Sequence, residues 1–206
     1  MTIHEASQRN DLLEVKRILS RHPEALNEPD KVAWTPLHYA AFTGSVAVLE
    51  ELLKCGAKVN VRDRHGQTPL HASAIGGHVT TAKPLINCGA NIHSLNEESS
   101  APLHIAVYAK RQEFVRFLLS AGADSNAFGP NHWLPLHSAC SAGDLEIALL
   151  LLEHGADINA ETANYWTPLD LAVRGKHFAL VEALRSRGAV SSADVQVGKS
   201  LRRQLN

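Results

Sequence analysis

Three cysteines in 206 residues give no disulfide framework. Cys55 and Cys88 stand 33 residues apart, at the same place in successive stretches of a repeating pattern. Equivalent positions on stacked helices lie about 8–10 Å apart, whereas a disulfide needs Cα atoms within roughly 7 Å. They read as free thiols in a reducing compartment, with a redox role as the alternative. An excess of charge is missing too: 20 Lys and Arg face 21 Asp and Glu, for a formal net charge of −1. No global field would draw in nucleic acid or an anionic membrane, and of a basic stripe there is only Lys199, Arg202 and Arg203. No run approaches the roughly 20 apolar residues of a membrane span. The richest, Leu145 to Leu152, is interrupted by Glu146 and reads as one buried helix. The start, Met1-Thr2-Ile3-His4-Glu5, lacks the basic-then-apolar pattern of a signal peptide. The expectation is a cytoplasmic protein, with a nuclear or host-cell location left open. Catalytic signatures such as H-E-x-x-H, G-x-S-x-G or a phosphate-cradling glycine loop are absent. Neither an enzyme nor a cofactor is expected.

What the sequence does have is a period. Thr35-Pro36-Leu37-His38 returns every 33 residues as Thr68-Pro69-Leu70-His71, Ala101-Pro102-Leu103-His104, Leu134-Pro135-Leu136-His137 and Thr167-Pro168-Leu169-Asp170, taking five of the nine prolines. A glycine follows at Gly44, Gly77 and Gly143, then an apolar helical run, and Gly-Ala pairs close each unit from Gly56-Ala57 to Gly188-Ala189. Self-similarity of this kind marks a solenoid whose units bury their apolar faces against neighbours. Each unit also announces its helices. Thr35 suits an N-cap, its hydroxyl accepting a backbone N–H; Pro36 suits the first helical position; Gly44 ends the helix in the left-handed region. Val48, Leu49, Leu52 and Leu53 then form the inward stripe of a second helix, and Asn60 to Gln67 reads as a turn-rich finger.

These motifs resemble the ankyrin repeat over nearly the whole chain, which implies an all-α solenoid of antiparallel helix pairs with protruding β-turn fingers. The expected organisation is an N-terminal capping helix pair at 1–29, repeats at 30–62, 63–95, 96–128 and 129–161, a terminal repeat at 162–194, and a C-terminal cap or tail at 195–206. The middle departs most from the pattern. Pro84 falls inside a second helix, at a cost on the order of 3 kcal/mol, beside weakly helical Thr80 and Thr81. Lys110 stands where a left-handed glycine is expected. A local opening or bend is expected there.

Twelve histidines raise the question of metal. The repeated ones lie in successive layers about 10 Å apart, while zinc requires nitrogens at about 2.0–2.1 Å, so no metal site is expected. The resemblance implies instead that each ring hydrogen-bonds within or between repeats. Asn60, Asn126 and Asn159 resemble asparagines that are hydroxylated in some animal ankyrin repeats; a turn-stabilising role is the alternative.

The three tryptophans, Trp34, Trp133 and Trp166, all immediately precede the Thr-Pro-Leu slot. The resemblance implies that this slot, where finger meets first helix, faces the concave partner-binding surface. It implies the same for Phe42, Ile75, Tyr108 and Arg174 near the ends of first helices. Phe128 stands at a finger base, with Leu95 and Glu161 at equivalent positions; Arg64, His65 and Tyr165 fall near fingertips. Exposed aromatics tend to mark interaction sites; the alternative is local packing, with Trp133 and Trp166 stacked one layer apart. The function expected is non-catalytic recognition of another protein or an extended peptide, as adaptor or scaffold, by a monomer. The alternative is an inhibitor or secreted effector that blocks a partner enzyme.

Overall fold

The computed structural model describes residues 1–196; of the expected C-terminal cap or tail, residues 197–206 lie outside it. Every regular element among the described residues is helical, and the chain divides into two compact units, Met1–Ala123 and Asp124–Asn206.

The first unit opens with α1 (Ile3–Gln8) and α2 (Leu12–Arg21), followed by a 3-10 turn at Pro23–Asn27. Thr2 and Glu5 form a reciprocal cap on α1: the Thr2 hydroxyl accepts the Glu5 N–H at 3.2 Å, and the Glu5 carboxylate accepts the Thr2 N–H at 2.9 Å. Three helix pairs follow: α3 (Pro36–Thr43) with α4 (Val46–Lys54), α5 (Pro69–Gly76) with α6 (Val79–Asn87), and α7 (Pro102–Tyr108) with α8 (Gln112–Ser120). First helices pack in the order α1, α3, α5, α7, and second helices in the order α2, α4, α6, α8. Alanines make the first layer thin: Ala40, Ala41, Ala72, Ala74 and Ala106 are fully buried beside Leu37, Leu70 and Leu103. Bulk comes from the second layer, from Val48, Leu49, Leu52, Leu85, Phe114 and Leu118; Leu53 is only half-buried. The second unit repeats the plan with α9 (Pro135–Ala142), α10 (Leu145–Glu153), α11 (Pro168–Arg174) and α12 (Phe178–Arg185), after a 3-10 turn at Pro130–His132. There α9 packs on both α10 and α11, and residues 192–196 are helical.

The first helices begin where expected, with Thr35, Thr68, Ala101, Leu134 and Thr167 as N-caps. The capping chemistry differs from expectation. At Thr35 and Thr68 the hydroxyl caps no backbone N–H and instead lies 3.0 and 2.9 Å from the histidine Nδ1. That Nδ1 also accepts the N-cap backbone N–H, at 3.2 Å for Thr35 and 3.1 Å for Thr68. The same bond persists where no hydroxyl exists, from Ala101 N–H to His104 at 3.1 Å and from Leu134 N–H to His137 at 3.0 Å. A neutral imidazole accepting at Nδ1 carries its proton on Nε2. That proton is donated to a carbonyl beyond the repeat's own helices: Gln67 at 3.2 Å from His38, Ser100 at 3.0 Å from His71, and Ala160 at 3.0 Å from His137. In the last repeat Asp170 takes over as a pure acceptor. Its Oδ2 receives the N–H groups of Thr167 at 2.9 Å and Ser192 at 3.0 Å.

Both lysines at the glycine phase adopt the left-handed backbone: Lys110 has φ 54° and Lys176 φ 57°, beside 72°, 80° and 69° for Gly44, Gly77 and Gly143. The glycines serve a second purpose. Above Gly77 the Arg111 side chain crosses to donate Nε–H to the Ile75 carbonyl at 3.1 Å, and a Cβ on Gly77 would fall 2.7 Å from Arg111 Cδ. His177 lies over Gly143 in the same way and donates to the Ser141 carbonyl at 3.2 Å. The last turn of a first helix is thus capped by the following repeat.

The expected opening at Pro84 is not seen: α6 is continuous from Val79 to Asn87. Thr81, fully buried, lies within hydrogen-bond distance of Ser73 Oγ at 3.0 Å and of the Ala41 carbonyl at 3.2 Å, tying α6 to both neighbouring first helices. Pro84→Leu restores an N–H in the helix interior and is expected to raise the urea midpoint, by up to about 3 kcal/mol of stability. Amide exchange across 79–87 should slow with it.

Burial holds the His38, His71 and His137 rings below the usual histidine range, His71 down to about 4. Unfolded, these rings protonate near pH 6.5. The unfolded chain therefore binds more protons than the folded one between these values. Stability should be whole above about pH 6.5 and fall below it, down to about pH 4 for the His71 ring, by up to about 1.4 kcal/mol per pH unit for each ring that is still neutral when folded. Urea melts from pH 4 to 8 test this, and His71→Gln should flatten the profile.

Candidate functional site

Each finger closes on its base residue. Asp30 Oδ1 accepts the N–H groups of Val32 and Trp34, both at 2.9 Å. Asp63 Oδ1 does the same for His65 and Gln67 at 2.8 Å, and Asn96 Oδ1 for Glu98 at 3.0 Å and Ser100 at 2.8 Å. The tip is left-handed in all of them, with φ of 64° at Ala33, 72° at Gly66, 60° at Ser99, 59° at His132 and 64° at Tyr165. Four of these five carry a side chain where glycine is the unstrained choice. Within each unit neighbouring tips join by backbone bonds, Arg64 N–H to Val32 O at 3.3 Å, Glu97 N–H to His65 O at 2.9 Å, and Ala163 N–H to Asn131 O at 3.0 Å. Gly129 has no side-chain acceptor, and its finger tightens into a 3-10 turn with both Asn131 and His132 at positive φ.

The asparagines bridge adjacent repeats. Asn60 donates to Gly89 O at 2.9 Å and accepts from Asn91 N–H at 2.9 Å; Asn126 likewise joins Gly155 O and Asp157 N–H, each at 2.8 Å. Asn159 accepts from Val190 N–H at 2.9 Å.

The tryptophans occupy different environments. Trp34 is half-buried and fastened to the scaffold. Its indole N–H donates to Asp63 Oδ2 at 2.8 Å, and its ring meets Tyr39 at 5.0 Å, Phe42 at 5.6 Å and His38 at 5.8 Å. Tyr39, which the sequence pattern did not single out, completes the group by donating its hydroxyl to Asp30 Oδ2 at 2.7 Å. Burial and that bond push the Tyr39 phenol up to about 12. Trp133 is half-buried and its ring lies 6.0 Å from His137. Trp166 is 36% exposed, with the Arg174 guanidinium 5.2 Å from its ring centroid. Among the described residues no ring contact joins Trp133 to Trp166, so the stack offered as the packing alternative is absent.

The other expected residues divide the same way. Ile75 is half-buried, while Arg64 and His65 are exposed at the second finger. Tyr108 is 86% exposed at the end of α7. In the second unit Phe128 is 64% exposed, its ring 5.3 Å from His132, and Tyr165 is 62% exposed. No group of three or more His, Cys, Asp and Glu among the described residues is placed to hold a metal ion. A cleft of about 430 Å³ opens in the first unit beside Ile3, His4, Ile18 and Ala25; none of the expected site residues lines it.

The model of ankyrin repeats (3 copies) matches residues 3–96, 61–129, 77–162 and 126–196, and the chain belongs to the ankyrin repeat family. Among solved structures it is similar to the ankyrin repeat domain of Bcl-3, described as a unique member of the IkappaB protein family. That match has a TM-score of 0.84 and 30% identity, covering 93% of this chain and 88% of the other. Ankyrin repeat domain-containing protein 49 of Homo sapiens and its Bos taurus counterpart are each 40% identical over 55 residues, or 27% of this chain. The matched stretch spans only 23% of either relative. Ankyrin repeats are generally protein–protein interaction modules and typically non-catalytic. No helix among the described residues is long and apolar enough to cross a membrane.

The environments of Trp34 and Trp166 predict opposite outcomes of truncation. Trp34→Ala removes a ring cluster and leaves Asp63 Oδ2 without its donor, and should cost about 3 kcal/mol of stability. Trp166→Ala gives up one cation–π contact and should cost about 1 kcal/mol or less. Paired urea denaturation curves check both.

Proposed function

We propose that this chain is a non-catalytic protein-recognition module, an adaptor or scaffold that binds a partner through its fingers and the ends of its first helices. One observation carries the reading: Tyr108, Phe128, Tyr165 and Trp166 are exposed at finger and first-helix positions, where burial against the fold does not account for them. Aromatic rings in such places serve as anchors for a partner. In the first unit Arg64 and His65 add exposed polar groups and Phe42 further exposed ring area, beside half-buried Trp34 and Ile75; in the second, Arg174 adds its guanidinium at Trp166 and Trp133 is half-buried. The proposed organisation is a cap at 1–29 followed by repeats at 30–62, 63–95, 96–128, 129–161 and 162–194. The exposed Cys55 and Cys88 thiols suit a reducing, cytoplasmic compartment. The buried Cys140 thiol, pushed up to about 12 by desolvation, is unreactive. The free chain is proposed to be a monomer.

The test is comparative capture. Full-length wild type and a Tyr165→Ser/Trp166→Ala variant with the same melting profile are used as bait, and bound proteins are quantified by mass spectrometry. A defined set of proteins lost from the variant is the expected result. Identical capture by wild type, this variant and a Tyr108→Ser variant would remove the aromatic surface from the account.

A further inference from the structure

The second unit carries an arginine that its own fold does not use. Arg174 ends α11 and is exposed. Among the described residues its partner is the Trp166 ring, 5.2 Å from the guanidinium carbon, and it enters none of the ion pairs. Three carboxylates near it in the chain accept other groups. Asp157 Oδ1 accepts the Asn159 N–H at 2.9 Å, Asp170 Oδ2 the N–H groups of Thr167 and Ser192, and Glu161 Oε1 the Gln196 amide at 3.0 Å. Lys176, two residues beyond Arg174, is exposed and likewise enters no ion pair among the described residues. Arg174 therefore stands over exposed Trp166 without a paired anion among the described residues.

Two physical consequences follow. A guanidinium resting on an indole is held by the ring's negative face and gives up part of its rotamer freedom before any partner arrives. Its five N–H donors remain unspent, and a planar fork of such donors matches a carboxylate in bidentate fashion. An apolar or basic segment covering this spot would bury Arg174 without an acceptor, a costly arrangement. Charge thus selects the occupant.

We propose that Arg174 and Trp166 form a receptor for one carboxylate side chain of an acidic partner segment, with Tyr165 receiving the apolar residue beside that carboxylate. This rests on the protein-recognition reading above and specifies the chemistry of the partner.

The immobilised full chain is panned against a phage-displayed random peptide library, beside an unrelated helical protein. Enriched peptides should place Asp or Glu at a constant distance from an aromatic or aliphatic residue. One such peptide, fluorescently labelled, is then titrated by anisotropy against wild type, Arg174→Gln and Arg174→Lys, all with matched melting profiles. Arg174→Gln and the acid-to-amide change in the peptide should each weaken binding about tenfold or more. The two together should lose no more than either alone, because they delete the same contact, and Arg174→Lys should retain part of the affinity. Enrichment of peptides without an acidic residue, or fully additive losses, would overturn the receptor while leaving protein recognition standing. No enrichment over the unrelated protein would overturn both.

Discussion

The bond on which the stack depends is the one made by the third residue of each first helix. A helix start leaves backbone N–H groups without partners, and a polypeptide edge between repeats leaves carbonyls in the same state. The histidine at 38, 71 and 137 meets both needs with one buried ring, accepting at Nδ1 from its own N-cap and donating at Nε2 to a carbonyl in the chain that follows. Because the two nitrogens have opposite roles in the neutral ring, the local cap and the link onward fix each other's direction. Protonation would turn the accepting nitrogen into a donor facing an N–H. The final repeat follows the same logic with opposite polarity: Ser192 presents an N–H instead of a carbonyl, and Asp170, which only accepts, replaces histidine.

Stability in such an array is a sum over units and their interfaces, so polar bridges between neighbours carry weight that a single central core would otherwise bear. Three kinds recur within the units: the histidine link, the asparagine that joins one finger base to the next, and the side chain of Arg111 or His177 crossing to the preceding first helix. The bonds themselves span 23 to 36 residues of chain, but the side chains that make them stand at multiples of the 33-residue period, which is why the period could be read from so few residues. Proline at the first helical position and the left-handed glycine are visible in the same way.

The unread part consists of choices the backbone makes regardless of residue type. Lys110 and Lys176 adopt the left-handed conformation that Gly77 adopts, because the surrounding turn enforces it at some cost in strain. The Thr35 hydroxyl was a reasonable candidate for the cap, yet Ala101 and Leu134 keep the histidine bond where no hydroxyl exists. Pro84 argued for an opening of the helix, but α6 is continuous and the buried Thr81 hydroxyl reaches both neighbouring first helices, and no local pattern reveals a bond formed across 40 residues. The tryptophans were equivalent in sequence and are not in structure: the difference between Trp34 and Trp166 lies in Asp63 one repeat away and Arg174 at the far end of a helix.

That difference also separates scaffold from surface. On the fingers, the side chains of Asp30, Asp63 and Asn96 that might have met a partner are consumed by backbone N–H groups, so these polar groups belong to folding. An aromatic ring whose polar atom is likewise consumed, as the Trp34 indole N–H is by Asp63, stiffens the finger that bears it. A ring with exposed area and a cation above it, as at Trp166, keeps apolar surface that the fold has not covered. Identical repeats can in this way carry different duties, because the 33-residue frame fixes where each side chain stands while neighbours outside the motif decide whether it is already satisfied.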